Sequence, residues 1–158
     1  PLMILKAAAG ERLPIYGQGL NVRDWLHVDD HAAGLVAALE RGRPGRTYLL
    51  GGESERSNLQ VVETICDLVE DRLGPIDGAP RRSLIEFVTD RPGHDLRYAV
   101  DASRARAELG WSPRSSFTDG LAATVDWYLA NQAWWGPLAD GRYDGARLGA
   151  LDGNGGSP

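Results

Sequence analysis

Cysteine is nearly absent from this sequence. Cys66 is the single one in 158 residues, so an internal disulfide is excluded and a reducing, cytoplasmic setting is expected. Long apolar runs are lacking too. None approaches the roughly 18 residues of a membrane span, and no signal peptide is read at the start. There is no basic excess: 17 Lys and Arg face 22 Asp and Glu, for a net charge of −5. That argues against nucleic acid as a partner, because a phosphate-backbone binder carries a basic face. Finally, there is no G-x-G-x-x-G or G-x-x-G-x-x-G turn. A nicotinamide dinucleotide would have to be held by residues outside this sequence.

What is present reads as one α/β or α+β domain with a real core. The chain opens Pro1-Leu2-Met3-Ile4-Leu5-Lys6-Ala7-Ala8-Ala9-Gly10, already inside a helix. Pro1 suits its first turn and Gly10 its end. The expectation is a piece of a longer protein. A strand is predicted around Leu13-Pro14-Ile15-Tyr16, followed by a loop with Gly17 and Gly19. Alternation predicts a second strand from Val22 to Val28. Asp29 or Asp30 then caps a helix with Ala32, Leu35, Val36 and Leu39 at helical spacing, ended by Pro44 and Gly45. Thr47-Tyr48-Leu49-Leu50 is predicted as a short buried strand.

Ser57 or Asn58 caps the next helix, whose stripe is Leu59, Val62, Ile65, Cys66, Val69 and Leu73. Ser83 to Thr89 and Tyr98 to Val100 read as strands. Asp101 caps a helix closed by Gly110 and Pro113. Ser116 opens a last helix, running to about Ala133 with Leu121, Val125, Tyr128 and Leu129 inward. Trp134 and Trp135 read as a packed pair. Residues 144–158 are expected to form a disordered tail behind a portion spanning 1–143.

The chemistry-bearing residues are arginines beside acids. Arg23-Asp24 and Asp90-Arg91-Pro92-Gly93-His94-Asp95 lie far apart, each in or just after an apolar strand-like run. A guanidinium grips two phosphate oxygens at once, so two such arginines suggest a diphosphate site. The alternatives are simple exposure for Arg23 and, for Arg91, a surface turn with an ion pair to Asp90 or Asp95. Asn58 is a helix cap that also stands where free N–H groups suit an anion. His27, Asp30 and His31 do not read as a metal site, since strand and helix put them on different faces. Cys66 reads as core, and no nucleophile–base pair stands out.

These segments resemble the extended short-chain dehydrogenase/reductase superfamily. The residues that carry this are Leu13 to Gly17 and Val22-Arg23-Asp24-Trp25-Leu26-His27-Val28-Asp29-Asp30-His31. Gly51-Gly52, Asn58-Leu59-Gln60-Val61-Val62, Glu108-Leu109-Gly110-Trp111 and Trp127-Tyr128-Leu129-Ala130-Asn131 agree. Asp90 to Asp95 favours the dTDP-glucose 4,6-dehydratase branch, and the likeness runs from Pro1 to about Tyr143. The resemblance implies an extended Rossmann-type fold of which this is the C-terminal, substrate-binding part, its NAD-binding sheet lying in an N-terminal half not included here. It implies a lyase that converts dTDP-glucose to its 4-keto-6-deoxy form, with NAD bound by that other half and a homodimeric complete enzyme. It implies that Pro14, Ile15, Tyr16, Gly17 and Gly19 lie against the nucleoside. Arg23 and Arg91 would hold the diphosphate, Asn58 would donate to a phosphate, and Asp90 and His94 would close the site. The C-terminal half of a nucleotide-sugar 4-epimerase, or a non-catalytic binding fragment, remains the alternative.

Overall fold

The computed structural model describes residues 1–139; the expected boundary at 143 and the tail of 144–158 lie outside them. Helix α1 (Leu2–Ala9) ends on Gly10, whose φ of 73° is the left-handed conformation that glycine adopts without strain. Strand β1 (Leu13–Tyr16) follows, then β2 (Val22–Asp24) and helix α2 (Val28–Arg41). After a long connection come β3 (Glu55–Ser57) and helix α3 (Asn58–Leu73). A 3-10 turn (Arg81–Leu84) leads into β4 (Ile85–Val88). Then come β5 (Arg97–Tyr98) and helices α4 (Ser103–Leu109), α5 (Phe117–Ala130) and α6 (Gln132–Ala139).

Two small sheets organise these elements. β1 pairs in parallel with β4, with Leu13 opposite Ile85 and Tyr16 opposite Val88. β2 is the centre of the other sheet, antiparallel to β3 and parallel to β5. The main core lies on one face of the β1–β4 pair. Leu13 and Ile15 point into it, alternating with Pro14 and Tyr16 as a half-buried strand must. Ile4 and Ala7 of α1, Val61, Val62, Ile65, Cys66 and Val69 of α3, and Val125 of α5 complete it. Cys66 is fully buried. Burial pushes its thiol up to about 11, so it stays protonated and packs as a small apolar residue. A second, smaller core joins Ala37 of α2 to Ala102, Ala105, Leu109 and Trp111.

Local rules held where a cap could be read directly. Ser57 caps α3 and forms a reciprocal capping box with Gln60, which makes Asn58 the first helical residue rather than the cap. Ser116 accepts from the Asp119 N–H at the start of α5, and Asp101 accepts from the Ser103 N–H ahead of α4. α5 stops at Asn131, earlier than expected, and α6 begins anew. Trp135 donates to the Tyr128 carbonyl at 2.8 Å, while Trp134 stays exposed and meets Trp127 edge-on.

Five expectations fail, several of them for a long-range reason. The strand from Val22 stops at Asp24, because the Asp24 carboxylate turns to the N–H groups of Gly52 and Ser54, both at 2.8 Å. His27, not Asp29 or Asp30, then caps α2, accepting from the Asp29 N–H through Nδ1. The helix ends at Gly42, before Pro44. Asp30 is buried instead: its carboxylate accepts from the Ser115 N–H and its carbonyl from Trp111 Nε1, both at 2.9 Å. Burial pushes that carboxyl upward, but the Ser115 and Arg114 N–H groups outweigh it and hold it below the usual aspartate range. Thr47 to Leu50 is not a buried strand. No strand of the described residues runs beside it, so it has no ladder, and Leu49 is exposed. The region expected as a strand from Ser83 opens as the 3-10 turn and is strand only from Ile85.

One buried charge ties the core together. The Arg81 guanidinium donates to the carbonyl of Gly74, at 2.7 Å, and to that of Ala7, joining the C-terminal ends of α3 and α1. Its own backbone N–H goes to Glu70. Arg81→Met should cost about 2–4 kcal/mol, because the buried Ala7 carbonyl loses its donor, at about 1–3 kcal/mol, and the part-buried Gly74 carbonyl loses another at a smaller cost. The shift in denaturant midpoint measures it. Among the described residues no helix is long and apolar enough to cross a membrane.

Candidate functional site

The residues singled out in the sequence come from three stretches that the fold brings together. The first is the loop after β1. Gly17 and Gly19 have positive φ values of 57° and 68°. A side chain at Gly19 would meet Ile15 at 2.8 Å and Leu59 at 3.0 Å, so only glycine lets the loop lie against α3. The Gly17 N–H donates to the Val88 carbonyl at 2.8 Å, and a side chain at Gly17 would meet the Asp90 carboxylate at 3.0 Å. Parallel pairing of β1 and β4 thus sets Pro14 to Gly19 beside the turn that follows β4.

That turn is the second stretch. The Asp90 carboxylate accepts from the Arg91 N–H at 2.8 Å and is bonded to His94 Nδ1 at 2.7 Å. The His94 bond holds its carboxyl below the usual range, and the Arg91 N–H adds to this. The His94 side chain, only 6% exposed, is wedged against Tyr16, with ring centroids 6.2 Å apart and edge to face. The Arg91 side chain is exposed, and among the described residues no acceptor takes its guanidinium. The alternative of a surface turn closed by an Arg91 ion pair is not what forms, because Asp90 is engaged by His94 and Asp95 by Tyr98.

The third stretch is β2 with the start of α3. Arg23 stands next to Tyr98 in the β2–β5 register, its Cζ 4.9 Å from the ring centroid. Its Nη1 donates to the Val22 carbonyl at 2.7 Å and its Nη2 to the Asp95 carbonyl at 3.0 Å. It is half-buried rather than simply exposed. Tyr98 Oη donates to Asp95 Oδ2 at 2.6 Å. That bond, with the Asp95 charge, pushes the phenol's pKa above its usual value and makes the hydroxyl harder to ionise. Of the two arginines, Arg23 is the one in contact with the ring. At α3 the backbone is not open to an anion as its position suggests. The Asn58, Leu59 and Gln60 N–H groups go to Asn21, Gly19 and Ser57. Only the Asn58 side chain is left to donate.

The sequence reading did not place Asn21 or Tyr98 in the site, and it took Asp95 only as an ion-pair candidate for Arg91. Asn21 is buried and donates to the Asp95 carbonyl at 3.2 Å. Only the β2–β5 pairing places these beside Arg23, and residues 74 apart in sequence carry no local signal of it. A cavity of about 210 Å³ opens beside Arg23, Tyr98, Leu50 and Val100. It is smaller than the roughly 300–1,000 Å³ of an ordinary ligand pocket, so this cavity is one wall of a site rather than an enclosure. Among the described residues there is no cluster of metal-ligating side chains.

The fold is a mixed α/β one of the extended short-chain dehydrogenase/reductase type. A family model described as GDP-mannose 4,6 dehydratase matches residues 1–124, and the chain belongs to that family. The dTDP-glucose 4,6-dehydratase of Xanthomonas campestris is 54% identical over 150 residues, covering 95% of this chain and 43% of that protein. The crystal structure of dTDP-glucose 4,6-dehydratase from Bacillus anthracis in complex with NAD superposes with a TM-score of 0.75 at 46% identity. It covers 87% of this chain and 41% of that one. UDP-glucose 4-epimerase of Thermotoga maritima, at 23% identity and a TM-score of 0.69, shares the fold alone. The chain spans about two fifths of the length of the dehydratases it matches.

Proposed function

We propose that this chain is the nucleotide-sugar-binding part of an NAD-dependent dTDP-glucose 4,6-dehydratase, a lyase of deoxysugar biosynthesis. The observation that carries the reading is the Arg23 guanidinium, stacked on Tyr98 and held by backbone carbonyls, together with an exposed Arg91, with no carboxylate bonded to either guanidinium among the described residues. Two uncompensated guanidinium groups fit the two phosphates of a nucleoside diphosphate. Pro14, Ile15, Tyr16, Gly17 and Gly19 would flank the nucleoside. Asn58 would add a phosphate donor, and the Asp90–His94 pair would fix the Arg91 turn.

The residues of this chain do not fit the cofactor. It has no glycine-rich turn, and the N–H groups that open α3 are all engaged. NAD, which would accept and return the hydride, is assigned to residues beyond it, and the role of this chain is to bind and orient. The proposal extends, on family likeness alone, to a homodimer in the cytoplasm.

A hybrid enzyme tests this. The matching segment of the Xanthomonas campestris dehydratase is replaced by the full 158-residue chain. The hybrid should form the 4-keto-6-deoxy sugar from dTDP-glucose with NAD. A folded, NAD-binding hybrid that releases no keto sugar would refute the reading. One that interconverts C4 epimers instead would favour the epimerase.

A further inference from the structure

We propose that Tyr98 is a positioning residue for Arg23, its ring serving as the platform that keeps the guanidinium flat and its charge available to a diphosphate. This rests on the reading of Arg23 as a diphosphate grip.

An arginine side chain carries much rotamer freedom, and an anion site must suppress it before the ligand arrives. Arg23 is held from three sides: by the Val22 carbonyl at 2.7 Å, the Asp95 carbonyl at 3.0 Å and the Tyr98 ring at 4.9 Å. None of the three carries a full negative charge, so the guanidinium is fixed without being neutralised. Asp95, whose carbonyl already holds Arg23, also carries a carboxylate that could neutralise it. That carboxylate is turned to the Tyr98 hydroxyl at 2.6 Å instead. The same residue thus supplies the stacking face and engages the competing anion. Core packing does not explain Tyr98, which is 57% exposed. Its position follows from the parallel β2–β5 register, where it is the neighbour of Arg23.

The test compares thymidine 5′-diphosphate with thymidine, titrated by NMR into the full chain carried in the hybrid enzyme. Tyr98→Leu should weaken the diphosphate about tenfold, the scale of a partly desolvated cation–π contact, and leave thymidine unchanged. Tyr98→Phe, which keeps the ring but frees the Asp95 carboxylate, should weaken the diphosphate less than Tyr98→Leu does. A general structural role would weaken both ligands alike, and that outcome overturns the proposal. So does a Tyr98→Leu variant with undiminished diphosphate affinity. Arg23→Ala separates the two levels. If it loses diphosphate affinity while Tyr98→Leu does not, only the platform is wrong. If it loses none, the diphosphate reading of Arg23 falls, and this inference with it.

Discussion

Replacing Arg91 by alanine is expected to weaken binding of the dTDP-sugar to the hybrid enzyme by about 2–5 kcal/mol, the range for removing one partner of a desolvated charge pair. That corresponds to roughly 30-fold to several thousandfold in Kd. The Arg91 side chain has no protein acceptor among the described residues, so its loss leaves nothing unpaired in the free protein. Stability should move by no more than about 0.5 kcal/mol. Asp90 keeps His94 and still receives the backbone N–H of residue 91, so the turn persists. Arg91→Lys should recover only part of the affinity, because an ammonium cannot grip two oxygens in one plane. NAD affinity should not change. Calorimetric titration of both variants, with thermal unfolding alongside, measures all four quantities. An Arg91→Ala variant with unchanged sugar affinity would leave the exposed guanidinium without a role.

The second large effect concerns the chain as an isolated polypeptide. The apolar stripe of α2 does not face either core. Val28 is 68% exposed, Leu35 56%, Val36 53% and Leu39 87%. The face that does pack carries Asp30, Gly34 and Ala37, small or polar residues that let α4 and Trp111 come close. Burying one large aliphatic side chain contributes about 1.5–3 kcal/mol. Four left in water forgo a sum comparable to the whole stability of a domain, about 5–15 kcal/mol. A contiguous exposed stripe of this kind marks a surface that associates. The isolated 158-residue chain should therefore be marginally stable, bind a hydrophobic dye and self-associate. Leu35→Glu with Leu39→Glu should make it monomeric and more soluble, yet prevent assembly of the hybrid enzyme. A dye-silent monomer with one sharp unfolding transition would show that the stripe needs no cover.

That stripe shows where sequence reading reaches its limit. Leu35, Val36 and Leu39 sit at helical spacing, which made the helix legible. Spacing does not say which elements of the fold lie against that face. The site divides the same way. Arg23, Arg91, Asn58 and His94 stood out by residue type and by likeness to a family. Tyr98 and Asn21 did not, because Tyr98 meets Arg23 only across the β2–β5 pairing and the Asn21 side chain bonds to the distant Asp95, so no local pattern links them. The reading of the α3 start failed for a related reason: Gly19 and Asn21 approach from across a turn and occupy its N–H groups.

By itself the sequence determined what depends on a few neighbouring residues. Gly10 and Gly110 end helices because the left-handed turn excludes a Cβ, and Ser57 with Gln60 starts one because each reaches the other's backbone within a single turn. The alternation of Leu13 and Ile15 with Pro14 and Tyr16 set the buried face of β1 in the same local way. Tertiary structure alone decided which strands pair, where each carboxylate spends its hydrogen bonds, and which arginines keep their charge free. Those outcomes rest on contacts across some 30 to 85 residues, such as Asp24 with Gly52, Leu13 with Ile85 and Asp30 with Ser115. The competing partners differ by only a few kcal/mol, and the packing of the whole chain selects among them.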